Sequence, residues 1–550
     1  MGKSGPGVMD YDQRYEFLLN HGRSNKEFGG GSYMRIVGGW RPAKFILTAE
    51  TLETIAIYGV ASNLMTYLTG PLHQSTATAA ININVWSAVV WVLPLVGAFV
   101  ADTYLGRFRT IKISYFIYLV GFGLLTISAA LPHVCAPELH NNTLNNISCI
   151  FKTFLSSSFT FHSFGVDQLA KEYPESKSSF FILRCFVLYI SSTIFRLIFV
   201  FIQENWSWGL GFGLSLASMV IALVIFTRGT YIYRFSPVED KENPLSTVLK
   251  VYMSAAKNWS SIPSTGTTQA VDEMLLSNDE IRAGGGHQLR FLDKALLDDI
   301  STDQVEDARE VLSLVPIWIT LLIYAVVCAQ PLTFFTMQGS TMMRSVLSIE
   351  IPAASMITIY SFPVVLFIPI YDLFVVPLAQ RFTGKPNGIT ILQRMGVGLV
   401  LSIVSMMVAA IVERKRLHTA FDSGLIDMPH ETISMSIWWL APQYILIGVA
   451  EVFTVLGMRN FFRDQLPDRL KNLDKFLFLS ALGVGELLSG FLIFAIEKLT
   501  DASSQSSWLS DNLNRAHLDY FYWLLFGLGA VNLVAYIYAS QIYIYKTGIS

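Results

Sequence analysis

Charged residues are scarce in this chain. Asp, Glu, Lys and Arg make up 15% of its 550 residues, whereas hydrophobic residues make up 52%. So apolar a composition excludes an ordinary soluble protein of this length. The formal net charge of -2 leaves no basic surplus to meet phosphates, which excludes a typical nucleic-acid-binding protein.

The chain also lacks the patterns of metal and cofactor sites. Its four cysteines form no Cys-x-x-Cys pair, and its nine histidines form no His-x-x-x-His pair. No Gly-rich nucleotide loop and no Gly-x-Ser-x-Gly turn occur, so we expect neither an enzyme, a cofactor nor a bound metal. The first forty residues are polar and contain no apolar signal-peptide core, so we expect the first membrane helix to direct insertion.

What the chain does have is twelve apolar segments. Each is near the 20 residues that a helix needs to cross a bilayer, although the fourth is rich in Ser. The segments fall near 43–69, 82–101, 111–131, 151–169, 180–202, 208–227, 311–335, 353–378, 389–412, 433–457, 475–497 and 518–545. Their number predicts an all-α membrane protein of about twelve transmembrane helices in contact with the lipid bilayer.

A polar stretch divides the segments into two groups of six, the arrangement expected of two helical halves around a central site. The predicted organisation is a cytoplasmic tail at 1–40, an N-terminal bundle at 41–227, a cytoplasmic linker at 228–310 and a C-terminal bundle at 311–550. Basic residues in the 2–3 and 4–5 loops place both termini in the cytoplasm; Arg414, Lys415 and Arg416 are exceptions, because they fall outside. Within the linker, apolar residues at 291, 292, 295 and 296 predict an amphipathic helix against the cytoplasmic face, the alternative being a solvated connector.

Two carboxylates interrupt the first apolar segment. Glu50 and Glu53 are three residues apart, and Thr54 and Tyr58 continue the same helical face. A carboxylate at bilayer depth costs about 2.5–3.5 kcal/mol, so it tends to face a polar cavity or a partner. We interpret Glu50 and Glu53 as proton-handling residues, the alternative being a pair that caps or snorkels at a helix end.

The turn between segments 2 and 3 contains Asp102, Gly106 and Arg107 in an Asp-x-x-x-Gly-Arg pattern. Gly106 permits a tight turn, and Asp102 and Arg107 can pair with each other or with a helix end. We predict that these three residues act as a gate. Thr110 follows basic residues at the same edge and is a candidate phosphorylation site for a regulatory kinase, because phosphate there would add negative charge beside the gate.

This turn resembles the loop signature of the major facilitator superfamily. Over residues 27 to about 495 the chain resembles the plant nitrate and peptide transporter family, the plant arm of the proton-coupled oligopeptide transporters. The blocks that carry the resemblance include Phe164-Gly165-Val166-Asp167-Gln168, Pro316-Ile317-Trp318, Thr333-Phe334-Phe335, Pro369-Ile370-Tyr371-Asp372, Leu392-Gln393-Arg394, Trp439-Leu440-Ala441-Pro442-Gln443 and Ala450-Glu451-Val452-Phe453-Thr454. The resemblance implies a major facilitator fold, alternating access, and symport of a small solute with protons.

The departures from the family pattern concern charge. Thr54 stands where the first helix usually carries a base, Ser158 where the fourth carries Lys, and Asn460 where the tenth carries Glu. Cys328 stands where some nitrate-transporting members have His. Without the base, Glu50 and Glu53 lack a nearby cation on their own helix, so we expect at least one of them to be protonated at neutral pH.

Several residues are predicted to line a substrate cavity. Arg184 is a cation that would favour anionic cargo if it faces the cavity, and Arg459 and Glu486 are candidates for an ion pair. The full predicted cavity set is Thr54, Tyr58, Ser158, Arg184, Cys328, Gln338, Arg459, Asn460 and Glu486. Cys135 and Cys149 in the 3–4 loop are a candidate disulfide if that loop faces an oxidising compartment.

The sequence therefore predicts a secondary transporter of nitrate or an organic or specialised metabolite, anionic or neutral. Peptides are less favoured, because the charged positions suited to a peptide's two ends are lost. Proton coupling is expected with altered residues, in the plasma membrane or the vacuolar membrane. The alternative is a non-transporting sensor or partner-binding protein on the same fold.

Overall fold

The computed structural model describes residues 40–130, 174–233, 244–259, 289–298, 300–346, 349–370, 376–383, 389–501 and 507–543. The described chain is almost entirely helical. Its α-helices are α1 (Trp40–Ala61), α2 (Leu64–Thr69), α3 (Thr76–Val100), α4 (Arg107–Ala130), α5 (Pro174–Asn205), α6 (Trp208–Arg228), α7 (Pro244–Lys257), α8 (Thr302–Cys328), α9 (Phe334–Ser340), α10 (Ile357–Ile370), α11 (Val376–Thr383), α12 (Ile391–Asp422), α13 (Ala441–Gln465), α14 (Leu473–Asp501) and α15 (Leu518–Ile542).

Shorter elements join these helices. A π-helical turn, Ala101–Leu105, follows α3, and the 3₁₀ segments are Gly229–Tyr231, Arg290–Asp298, Gln330–Leu332, Ala353–Met356, Ile437–Leu440 and Asp468–Leu470. The strands are β1 (Met342–Met343), β2 (Ser345–Val346), β3 (Ile349–Glu350) and β4 (Ile433–Ser436). β1 pairs in parallel with β4, and β2 pairs antiparallel with β3, so the strands only tie loops together between the helices.

The predicted segments are helical wherever the structure describes them, but not all of these helices have the length and apolarity of a membrane span. Each predicted segment except the fourth coincides with a helix, and segment 151–169 lies outside the described residues. Within the described part, nine helices are long and apolar enough to cross a membrane. α1 is not among them, because it carries Arg41, Lys44, Glu50 and Glu53.

Several segment boundaries differ from the prediction; α12 ends at Asp422 rather than at 412, and α13 begins at Ala441 rather than at 433. The first segment breaks at Ser62 and Asn63 into α1 and α2. The seventh starts at Thr302 rather than at 311, because Ser301 and Gln304 form a capping box that satisfies the first backbone N–H groups. The acidic run that looked like linker is therefore the first two turns of α8.

The linker contributes two helical pieces that pack on α8. The predicted helix around Phe291 is confirmed as the 3₁₀ segment Arg290–Asp298, with Leu292 and Ala295 buried against α7 and α8. Asp298 accepts a hydrogen bond from Ser254 of α7, which lowers the pKa of the Asp298 carboxyl. We call this end of the helix bundle the inner end, and the opposite end the outer end.

Close helix packing depends on glycine at α12 and α13. A Cβ atom at Gly398 would stand 2.0 Å from Thr454 Oγ1 and 2.9 Å from the backbone oxygen of Ala450. Backbone atoms cannot yield as a flexible side chain does, so the two helices would have to separate.

We expect Gly398→Ala to lower the free energy of unfolding by about 1–3 kcal/mol. The measurement is the thermal midpoint of the purified protein in detergent. Gly527→Ala in α15 is the matched control, because nothing lies within 4 Å of its Cβ position. Equal midpoints for the two variants would contradict the packing argument.

Candidate functional site

The two carboxylates of α1 are buried, but Glu50 does not lack a cation. Arg184 of α5 donates to Glu50 from Nε, at 3.0 Å to Oε1 and 2.8 Å to Oε2, and also from Nη2. Glu50 is 1% exposed and Arg184 is 13% exposed. The expectation concerned cations on α1 itself, and the cation beside Glu50 comes from a distant helix, which the sequence did not suggest. That at least one of the two carboxylates is protonated at neutral pH stays a prediction.

This pair also changes the interpretation of Arg184. Its guanidinium is held by Glu50, so it is not a cavity cation available to cargo in this conformation. Glu53, one turn along α1, is fully buried close to Tyr115, whose hydroxyl donates to the backbone oxygen of Ala49 at 3.4 Å. Thr54 donates to the backbone oxygen of Glu50 at 2.8 Å, an ordinary bond within a helix.

A second arginine occupies the middle of the molecule. Arg196 of α5 is 7% exposed, and its guanidinium carbon lies 4.0 Å from the centre of the Tyr58 ring of α1. Its Nη1 donates to Ser361 of α10 at 2.8 Å, which joins the N-terminal and C-terminal helices. Within the described part of the chain, Arg196 makes no ion pair, and its buried Nε has no hydrogen-bond partner.

One acid from the C-terminal helices lies near this arginine. Glu451 of α13 lies close to Arg196, Tyr58 and Tyr360, although no ion pair joins it to Arg196. Glu486 of α14 is 8% exposed and lies near Cys328. We call Tyr58, Arg196, Ser361, Tyr360 and Glu451 the central polar cluster.

The suggested Arg459–Glu486 ion pair is wrong. Among the described residues Glu486 makes no ion pair and its buried Oε2 has no hydrogen-bond partner. Asn460 is exposed on α13, whereas Gln338 is fully buried and accepts a hydrogen bond from Gln443 Nε2 at 3.2 Å. Gln338 therefore packs between α9 and α13 in this conformation, and its role in a cavity stays a prediction.

The predicted gate is described in part. Gly106 has φ of 75°, so the tight turn predicted there is confirmed. Asp102 lies in the π-helical turn, and Arg107 begins α4. Thr110 is 6% exposed, and its hydroxyl donates to the backbone oxygen of Gly106 at 3.1 Å, so a kinase would need this turn to open.

Three predicted residues lie outside the described part of the chain: Ser158, Cys135 and Cys149. Their roles in a cavity and in a disulfide stay predictions. Among the residues that the structure does describe, no group of three or more His, Cys, Asp or Glu side chains is placed to hold a metal ion.

Contacts between the two halves occur at the outer end. Glu204 at the end of α5 pairs with Arg344 at 3.8 Å, and Arg344 also bonds Glu350 at 2.6 Å. The backbone N–H of Thr76 donates to Asp511 at 2.7 Å. These contacts join the N-terminal helices to the C-terminal half at that end.

A family model described as PTR2, POT family, matches residues 108–509. The chain belongs to the POT family. A relative from Arabidopsis thaliana, Protein NRT1/ PTR FAMILY 5.10, is 45% identical over 529 residues, covering 92% of this chain and 94% of the relative. Another from the same plant, Protein NRT1/ PTR FAMILY 5.13, is 43% identical over 542 residues, covering 93% of this chain and 94% of the relative.

Solved structures of POT family transporters share the fold. An auto-inhibited POT family peptide transporter has a TM-score of 0.73 at 18% identity, covering 93% of this chain and 99% of that one. The POT family transporter PepTSo has a TM-score of 0.68 at 20% identity, covering 92% of this chain and 99% of that one. The predicted major facilitator fold and the predicted plant transporter family are thus confirmed, and this POT family chain is a multi-pass membrane transporter rather than an enzyme.

The residues that sequence reasoning missed are Arg196, Ser361 and Glu451 as one cluster. Arg196 is a charged residue within the fifth apolar segment, and Glu451 belongs to a block that carries the family resemblance. Their separation along the chain gave no sign of contact, because helix–helix packing brings α5, α10 and α13 of this POT family member together.

Proposed function

We propose that this POT family member carries a small anion together with protons, and that Arg196 binds the anion. The observation that carries the proposal is a buried arginine without an acidic partner among the described residues. A buried charge is costly unless it is paired, and a guanidinium with a free N–H is suited to a carboxylate or nitrate oxygen. Its position between the two halves is where such a fold places its substrate.

Glu451 supplies the coupling to protons. When Glu451 is charged, it competes with a substrate anion for the positive field of Arg196; when it is protonated, the field is available to the anion. Proton binding at Glu451 and anion binding at Arg196 therefore favour each other, which is the condition for symport. The Glu50–Arg184 pair is a second buried charged contact, between α1 and α5.

The proposal also indicates which cargo fits. One cation and the hydroxyls of Tyr58, Ser361 and Tyr360 suit nitrate or a small organic acid. A peptide needs opposite charges at its two ends, and its amine would have to approach Arg196. We therefore expect nitrate and carboxylate metabolites to be better substrates than peptides.

The test is current and tracer uptake in oocytes that express the full chain, at pH 5.5 and 7.4, with nitrate, a dipeptide mixture, plant organic acids and glycosides. Arg196→Gln should lower anion uptake about 10- to 100-fold, because the anion loses charge-assisted hydrogen bonds whose free energy corresponds to that factor in affinity. Glu451→Gln should keep anion uptake but remove its increase at acid pH, because Gln imitates the protonated acid.

Arg515→Gln is the matched control, because Arg515 is an exposed arginine paired with Asp427 at the surface. Undiminished anion uptake by Arg196→Gln, with equal protein at the surface, would refute the assignment. No flux of any cargo by the native chain would favour the sensor or partner-binding alternative.

A further inference from the structure

The outer end of α12 carries a basic pattern that transport does not explain. Arg414, Lys415 and Arg416 are consecutive, on the side where a membrane protein usually carries few basic residues. Contacts establish the end of the bundle: Arg416 bonds Leu513 and Asn514, which follow α14, whereas the linker and Arg469 contact the beginning of α8 at the opposite end. Arg416 is buried and paired with Glu413, so Arg414 and Lys415 are the exposed pair to be explained.

These two residues line an open groove of about 550 Å³ between α12 and α15. Arg414 makes no hydrogen bond or ion pair with any residue that the structure describes. Lys415 Nζ lies 3.5 Å from the centre of the Trp439 ring. The groove is completed by Ile411, His418, Thr419 and Trp523.

Acidic neighbours do not cancel this charge. His418 Nδ1 lies 2.7 Å from Asp422 Oδ2, so that carboxylate is occupied. Asp519 is near enough to Arg414 for electrostatic interaction, but it forms no ion pair with it. The groove therefore presents two cations to an incoming ligand.

The depth of the groove matches the headgroup layer of a bilayer. α12 has 32 residues, so it is about 48 Å long at 1.5 Å per residue, whereas the hydrocarbon core is about 30 Å thick. Its last turns must lie outside the core. Trp438, Trp439 and Trp523 are 50%, 46% and 40% exposed at the same end, as tryptophans at a membrane interface are.

The groove is also amphipathic. Ile411 is 54% exposed on the membrane side of Arg414, and Trp523 adds an apolar wall. A soluble anion would use only the two cations and leave these apolar surfaces without a partner. A molecule with a phosphate and an acyl chain would cover both.

We propose that this groove binds the headgroup of an anionic phospholipid in the outer leaflet. Arg414 and Lys415 contact the phosphate, and Ile411 and Trp523 contact the glycerol and the first part of an acyl chain. The bound lipid adds contacts between α12 and α15. Arg416 of α12 and Asn514, which precedes α15, lie at the same outer end.

The experiment is native mass spectrometry of the full chain, purified in detergent and mixed with phosphatidylglycerol or phosphatidylcholine. The native chain should retain phosphatidylglycerol in preference to phosphatidylcholine. The double variant Arg414→Gln/Lys415→Gln should retain about thirtyfold less phosphatidylglycerol. Each basic residue near the headgroups strengthens the binding of an anionic lipid about fivefold, and the two effects multiply. Lys498→Gln, which removes an exposed lysine at the outer end of α14, should retain the lipid normally.

Equal retention of phosphatidylglycerol by the double variant and the native chain would overturn the proposal. Displacement of the lipid by millimolar glycerol phosphate, with equal thermal stabilisation, would show a site for free phosphate and overturn the lipid assignment. If the double variant folds poorly, the single variants Arg414→Gln and Lys415→Gln provide the same comparison, and each should lose several-fold.

Discussion

Replacing Arg184 by Gln should both destabilise this POT family protein and reduce proton-driven uptake about tenfold or more. The change removes the guanidinium that bonds both oxygens of Glu50 and leaves a carboxylate that is 1% exposed without that partner. Removing one partner of a buried ion pair costs about 3–5 kcal/mol, and Arg184, being 13% exposed, belongs near the lower end. The thermal midpoint of the purified variant measures this cost.

The double variant Glu50→Gln/Arg184→Gln separates stability from function. It leaves neither charge of the pair without a partner, so much of the lost stability should return. Uptake should stay reduced about tenfold or more, because the carboxylate predicted to handle protons is gone. Arg228→Gln is the control, since Arg228 is an exposed basic residue at the inner end of α6. Native-like uptake by Arg184→Gln would show that the ion pair joins α1 to α5 but has no role in transport.

Replacing Arg416 by Met should be the most destabilising single change at the outer end. Arg416 and Glu413 are both 0% exposed and bond each other through two nitrogens, at 2.8 and 2.6 Å. Arg416 also donates to Asn514 at 2.9 Å, to the backbone oxygen of Leu513 at 2.6 Å and to Thr341 at 3.2 Å. One side chain thus joins α12 to the segments that follow α9 and α14.

Loss of this arginine should cost about 3–5 kcal/mol, because the charge of Glu413 stays buried without a counter-ion. The measurement is again the thermal midpoint, with Lys498→Gln as an exposed-lysine control. The paired change Glu413→Leu/Arg416→Met should recover much of the loss, since an apolar pair of similar volume avoids desolvating two charges. A midpoint for Arg416→Met within one degree of the native chain would refute this account.

Arg416 also explains why the positive-inside pattern is weak in the C-terminal half. The sequence shows three basic residues on the outer side, but one of them is neutralised within the protein and is not a surface charge. Charge counting treats every Lys and Arg as exposed to the lipid interface, and only the packing of α12 shows that Arg416 is not.

The sequence by itself determined the membrane class, the transporter family and the approximate position of each described membrane helix. It did so because an apolar run of about 20 residues has almost no fold other than a spanning helix, whatever surrounds it. It also determined the turn at Gly106, because a positive φ is a local property of the chain. These features depend on residues that are close together in the sequence.

Only the tertiary structure decided which charges meet. Glu50 is 134 residues from Arg184, Arg196 is 165 residues from Ser361, and Arg416 is 98 residues from Asn514. Spacing along one helix shows which residues share a face, but it gives neither the rotation of that helix nor its neighbour. The charge that the first helix lacks at Thr54 is supplied across the bundle by Arg184, because a buried carboxylate is stabilised by any cation within reach, whichever helix carries it.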